Sequence, residues 1–88
     1  MIKYFLKVTT TPTATNPHQW PAKIEYYGKR ESNIGSLMLP SDGYLFLFGF
    51  GSYEAAEKAK ERRMEFYNRD DNKFKTFTHE IEIMSAEI

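Results

Sequence analysis

The sequence predicts an α+β domain: a small antiparallel sheet of about four strands, in the order ββ(β)βαβ, with one α-helix packed on one face. Three observations predict it. Apolar and polar residues alternate over 2–9, 22–27 and 73–84, the period of half-buried strands. The run GYLFLFGF at 43–50 is apolar on both sides, as a central strand is. A Glu/Ala/Lys run then begins behind Ser52, which has the character of a helix cap.

Each element follows from its residues. In IKYFLKVTT, Ile2, Tyr4, Leu6 and Val8 alternate with Lys3, Phe5, Lys7 and Thr9, giving the first strand. TTPTATNPHQWP, 10–21, holds three of the four prolines and is expected to be a long connection. AKIEYYGKR resumes the alternation, with Ile24 and Tyr26 on one side and Lys23, Glu25 and Tyr27 on the other. Leu37, Met38 and Leu39 form either a short strand or an apolar flap, closed by Pro40 and the Asp42-Gly43 turn signal. Tyr44, Phe46, Phe48 and Phe50 then share one face of the central strand, with Leu45, Leu47 and Gly49 on the other. Ser52 caps a helix running to about Asn68, with Glu54 where the helix dipole favours a carboxylate and a small face of Ala55, Ala56 and Ala59. The last strand sets Phe77, His79, Ile81 and Ile83 against Thr78, Glu80 and Glu82.

A chain of 88 residues holds a single domain, 1–88, with a thin core. It contains no cysteine to supplement that core by a disulfide or thiolate site. The burden falls on seven Phe, six Tyr and one Trp. Lysines at 3 and 7 interrupt the N-terminal apolar residues, so neither a signal peptide nor a membrane span is expected there, and the expected location is cytoplasmic.

One helix covers only about two strand widths of one sheet face. With Ile2, Tyr4, Leu6, Val8, Ile24, Tyr26, Leu45 and Leu47 toward the helix, Phe5, Tyr27, Tyr44, Phe46 and Phe48 point away, interleaved with Lys3, Lys7 and Lys29. Such a face needs a cover. The cover is the chain's own connection around Trp20 or the SLMLP segment, another protein or a second copy, or nucleic acid stacked on the rings. Twelve basic residues balance twelve acidic ones, which disfavours a dedicated nucleic-acid binder. The expected function is therefore non-enzymatic protein binding, as in small accessory or regulatory proteins and phage-encoded modulators. The contact would use Phe5, Lys7, Tyr27, Lys29, Tyr44, Phe46 and Phe48, with self-dimerisation as a special case. The alternative is single-stranded nucleic-acid binding by the same face.

Gly43, Tyr44, Phe46 and Leu47 resemble the signature strand of RNA-recognition-motif domains, a resemblance that implies base stacking on the two rings. Asp42, Leu45 and Gly49 depart from that pattern, and the connection at 10–21 stands where the family has a helix. Residues 50–56, FGSYEAA, are similar to the strand-to-helix junction of three-stranded AP2-like and integrase arm-binding domains, a resemblance that implies DNA contact from the sheet, though this sheet offers lysines and tyrosines where those domains use arginines.

No catalytic set is assembled in the sequence. His18 and His79 have no metal-ligand spacing, and the serines have no neighbouring base. Gly49 and Gly51 around Phe50 lack the lysine and full glycine pattern of a phosphate loop, so a bulge or close backbone approach explains them better. Glu80 and Glu82 fit a solvated strand edge. No enzyme activity, cofactor or metal is expected.

Overall fold

The computed structural model describes residues 1–29, 33–35, 40–69 and 76–88. It is an α+β fold in the order β1 (Ile2–Pro12), β2 (Lys23–Tyr27), β3 (Asn33–Gly35), α1 (Asp42–Phe48), α2 (Tyr53–Tyr67) and β4 (Phe77–Glu87). Three principal strands make the antiparallel sheet, and the three-residue β3 extends it beyond β2, giving the order β3-β2-β1-β4. β1 is central and pairs with β4 along its whole length, from Ile2 opposite Glu87 to Pro12 opposite Phe77. The first strand thus runs beyond the expected residue 9 into the proline-rich connection. A proline at a strand end removes little from the ladder.

The expected central strand at 43–50 is not a strand. Residues 42–48 form α1, so the fold has two helices where one was expected, and the sheet lacks the long strand assigned to that stretch. Ser41 caps α1, its hydroxyl accepting from the Tyr44 N–H at 3.3 Å, while the Gly49 N–H closes the other end on the Leu45 carbonyl at 2.8 Å. A short apolar run has no period that separates strand from helix, so this cap and the tertiary burial of a single residue decide. Leu45 is that residue, 2% exposed, whereas Phe46 and Leu47 are 59% and 65% exposed. Tyr44 and Phe48, four residues apart, bring their ring centroids to 4.6 Å. The expectation for Leu37, Met38 and Leu39 falls outside the described residues.

Gly49 explains how α1 turns back to the sheet. A side chain there would stand 2.5 Å from the Leu45 carbonyl oxygen and 2.9 Å from the Lys3 Cβ. At Gly28, just past β2, an added side chain would likewise stand 2.5 Å from the Phe48 carbonyl oxygen. Of the two glycines in the GFG stretch, Gly49 thus sits at a close backbone approach, whereas a side chain at Gly51 would meet nothing within 4 Å. Phe50 then forms an antiparallel bridge with Tyr4, donating to its carbonyl at 2.8 Å and accepting from its N–H at 3.0 Å. This bridge occupies the edge of β1 that β2 leaves open below Leu6.

Helix α2 follows the sequence expectation: Ser52 accepts from the Ala55 N–H at 3.2 Å, and Asn68 closes the far end. Its alanines permit close packing, and Ala56 and Ala59 are buried with Leu6 and Phe50 in the core. Tyr4, Tyr27, Ile81 and Ile83 pack around that cluster. Burial of each large core side chain contributes roughly 1.5–3 kcal/mol.

Register corrects the expected faces of β2. Leu6 lies opposite Tyr27 and Lys7 opposite Tyr26. Tyr27, not Tyr26, therefore joins Leu6 on the α2 side, and Ile24 and Tyr26 lie on the side of Phe5 and Lys7. Alternation says which residues share a face; only pairing says which face that is. No helix among the described residues is long and apolar enough to cross a membrane.

Candidate functional site

The structure disperses the seven residues expected to form one aromatic face. Phe5 is buried, 3% exposed, and meets Tyr26 edge-on with centroids 5.9 Å apart. Lys7 is half-buried beside Tyr26, on the same face as Phe5. Tyr27 is on the opposite face, under α2. Lys29 is exposed beyond the end of β2. Tyr44 and Phe48 meet along α1 with their ring planes tilted 40° apart, and Phe46 projects outward beside Met1 and Ile88. The physical reason is the helix at 42–48: residues 44, 46 and 48 share a strand face, but around a helix Phe46 stands about 200° from Tyr44 and from Phe48, which lie only about 40° from each other. The resemblance to the RNA-recognition signature strand fails for the same reason, since its two rings need strand geometry.

A different set of rings converges. The α2 side of the sheet and the C-terminal half of α2 enclose a cleft of about 280 Å³. Tyr27, His79 and Phe77 supply its sheet side, Arg63, Phe66 and Tyr67 its helix side, and Trp20 its mouth. Strand pairing accounts for the sheet part, since Thr10 lies opposite both Lys23 and His79, and Pro12 opposite Phe77. The helix part follows from residues 63, 66 and 67, spaced three and four apart.

Trp20 reaches the cleft because the proline-rich connection is fastened back to the start of β4. The Thr13 N–H donates to the Thr76 carbonyl at 2.9 Å, and the Thr13 hydroxyl donates to the same oxygen at 3.0 Å. Asn16, 8% exposed, donates to the Thr76 hydroxyl at 3.3 Å while its own side-chain oxygen accepts from the His18 N–H at 2.9 Å. Gln19 Nε2 donates to the carbonyls of Thr13 and Asn16 at 2.8 and 2.9 Å. These bonds hold Trp20 against Phe77, centroids 5.4 Å apart.

The floor of the cleft is internally braced. Tyr67 stacks face to face on His79 at 3.7 Å with the planes 4° apart. The Arg63 guanidinium lies 3.7 Å from the centre of the Tyr27 ring, and its Nη1 donates to the Tyr67 hydroxyl at 3.0 Å. Tyr27 in turn donates to Glu25 Oε2 at 3.1 Å, and Lys23 stands 3.7 Å from Glu25 Oε1. Burial, followed by the nearby Glu25 carboxylate, pushes the Tyr27 phenol up to about 12, so it stays a neutral donor. Burial, followed by the Arg63 cation, lowers His79 below its ordinary value of 6.5, so the stacked imidazole is neutral at neutral pH. The result is a largely uncharged aromatic recess with one carboxylate and two cations at fixed places.

Trp20 and Phe66 remain 37% and 44% exposed at the rim. Such a recess can accept an aliphatic or aromatic group between rings, with Lys23, Glu25 and Arg63 available to orient polar atoms. Of the residues expected from the sequence, only Tyr27 belongs to it. Trp20, Phe66, Phe77 and His79 were legible as aromatic positions, but nothing in their spacing joins them. Comparison with protein-family models, with curated proteins and with solved structures finds no match for this chain.

Proposed function

We propose that the protein is a non-enzymatic protein-binding module, of the accessory or regulatory kind, that engages its partner through the aromatic cleft between the sheet and the C-terminal half of α2. One observation carries the reading: Trp20 and Phe66 stand partly bare at the rim of a recess whose floor is already braced. Rings held in place before binding bury area at small entropic cost, which is how aromatic residues come to dominate interface energies. The occupant is an apolar or aromatic side chain of the partner, and the zero net charge is compatible with a protein ligand.

A second reading, single-stranded nucleic-acid binding, is favoured by one feature, the placement of Lys23 and Arg63 beside stackable rings. Trp20 is the one tryptophan in the chain, so its fluorescence reports on the cleft directly. Partner proteins captured on the wild-type chain should be lost on a Trp20→Ala, Phe66→Ala variant, and their binding to wild type should shift Trp20 emission. The protein-binding reading fails if that double variant retains them undiminished. An oligonucleotide that binds, and does so far more weakly at about 200 mM than at 50 mM salt, would transfer the site to the second reading.

A further inference from the structure

The edge of the sheet at β4 carries a feature separate from the aromatic cleft. β4 is eleven residues long, and among the described residues its outer edge pairs with no strand. Unpaired backbone N–H and C=O groups along such an edge are a template for an added strand. Beside this edge, α2 overhangs the sheet and leaves a groove of about 480 Å³. Tyr53, Met64 and Ile83 give it an apolar lining, Tyr53 being 51% exposed.

Charge states what kind of strand fits. Glu57, Glu61 and Glu65 recur every four residues along the groove wall, with Lys60 among them. On the opposite face of β4, Glu80 and Glu82 are exposed, and Glu82 lies across from Lys7 on its inner side. A strand beside β4 would set one set of side chains next to Ile81 and Ile83 beneath α2, and the alternate set next to Glu80 and Glu82. A second copy of β4 fits poorly, because antiparallel pairing through its middle brings Glu80 and Glu82 against their counterparts directly or diagonally.

We propose that β4 accepts an extended segment of another protein, alternating basic and apolar residues, as an added antiparallel or parallel strand seated in the groove beneath α2. Main-chain hydrogen bonds supply the pairing, Tyr53, Met64 and Ile83 receive the apolar side chains, and Glu80 and Glu82 on the other face select the basic ones.

The test uses the full chain and a capped seven-residue peptide alternating lysine and valine. Three control peptides accompany it: glutamate in place of lysine, serine in place of valine, and N-methylation of every second backbone amide. Heteronuclear NMR should show the lysine–valine peptide shifting β4 amides together with Tyr53 and Met64, and slowing hydrogen exchange along β4. The controls should bind at least about tenfold more weakly. Glu80→Gln with Glu82→Gln should weaken the lysine–valine peptide by several-fold, and Glu80→Lys with Glu82→Lys by more, with unchanged far-UV circular dichroism. The proposal is overturned if the N-methylated peptide binds equally well, if the shifts fall outside the groove, or if no binding is seen. It is also overturned if light scattering and β4 exchange protection show that the chain pairs with itself through this strand.

Discussion

Replacing Leu45 by alanine tests the assignment of residues 42–48 to a helix, because helix and strand rank the neighbouring residues differently. In the helix, Leu45 is 2% exposed while Phe46 and Leu47 are 59% and 65% exposed. Truncating a buried leucine removes its transfer energy and leaves a cavity, costing about 2–5 kcal/mol. Truncating Phe46, whose ring is mostly in water, should cost less than about 0.5 kcal/mol. A domain of 88 residues has a total stability of roughly 4–13 kcal/mol. Leu45→Ala therefore removes a large fraction of it, and a 3 kcal/mol loss would lower Tm by about 12–24 °C. Urea unfolding followed by circular dichroism measures both variants under one protocol. An equal loss for Phe46→Ala and Leu45→Ala, or a greater one for Phe46→Ala, would refute the helix and restore a central strand with its rings packed on a sheet face.

Other outcomes follow from the same geometry. Ser52→Ala removes the acceptor for the Ala55 N–H and should cost about 0.5–2 kcal/mol, read from the shift in urea midpoint. Gly49→Ala places a methyl 2.5 Å from a backbone oxygen and should destabilise more than Gly51→Ala, whose site has nothing within 4 Å, as thermal melts of the two will show. His79 is lowered in the folded state, so below about pH 6.5 the unfolded chain binds more protons and stability should fall as pH drops toward the folded value. His79→Phe should remove that acid arm from a plot of unfolding free energy against pH. Tyr27 is raised, so between about pH 10 and 12 the unfolded chain loses its phenolic proton first and stability should fall with rising pH. Tyr27→Phe should flatten this alkaline arm in the same titration.

Wherever a local period was unambiguous, the element could be named in advance. The alternation in residues 2–9 and 77–84 predicted β1 and β4, and Ser52 with the following Glu/Ala/Lys run predicted α2 with its cap. The run at 43–50 failed because eight apolar or glycine positions in a row satisfy either period, and the Ser41 cap that tips the balance is a single weak local signal. The aromatic cleft was illegible for a different reason. Trp20 comes to Phe77 across 57 positions of sequence, drawn there by hydrogen bonds from Thr13 and Asn16 to Thr76 that no spacing foretells.

By itself, then, the amino-acid order determined an α+β chain with strands at its two ends, one capped helix before the last strand, and more rings than a thin core of this size readily absorbs. Only the tertiary structure decided which of those rings meet. Strand register turned Tyr27 toward α2 and Tyr26 away, and the fold of 42–48 into a helix split Phe46 from Tyr44 and Phe48. The physical reason is that side-chain alternation and capping are local energies encoded over a few residues. Register and long-range closure depend instead on the sum of many weak pairings, which exists only once the whole chain is packed.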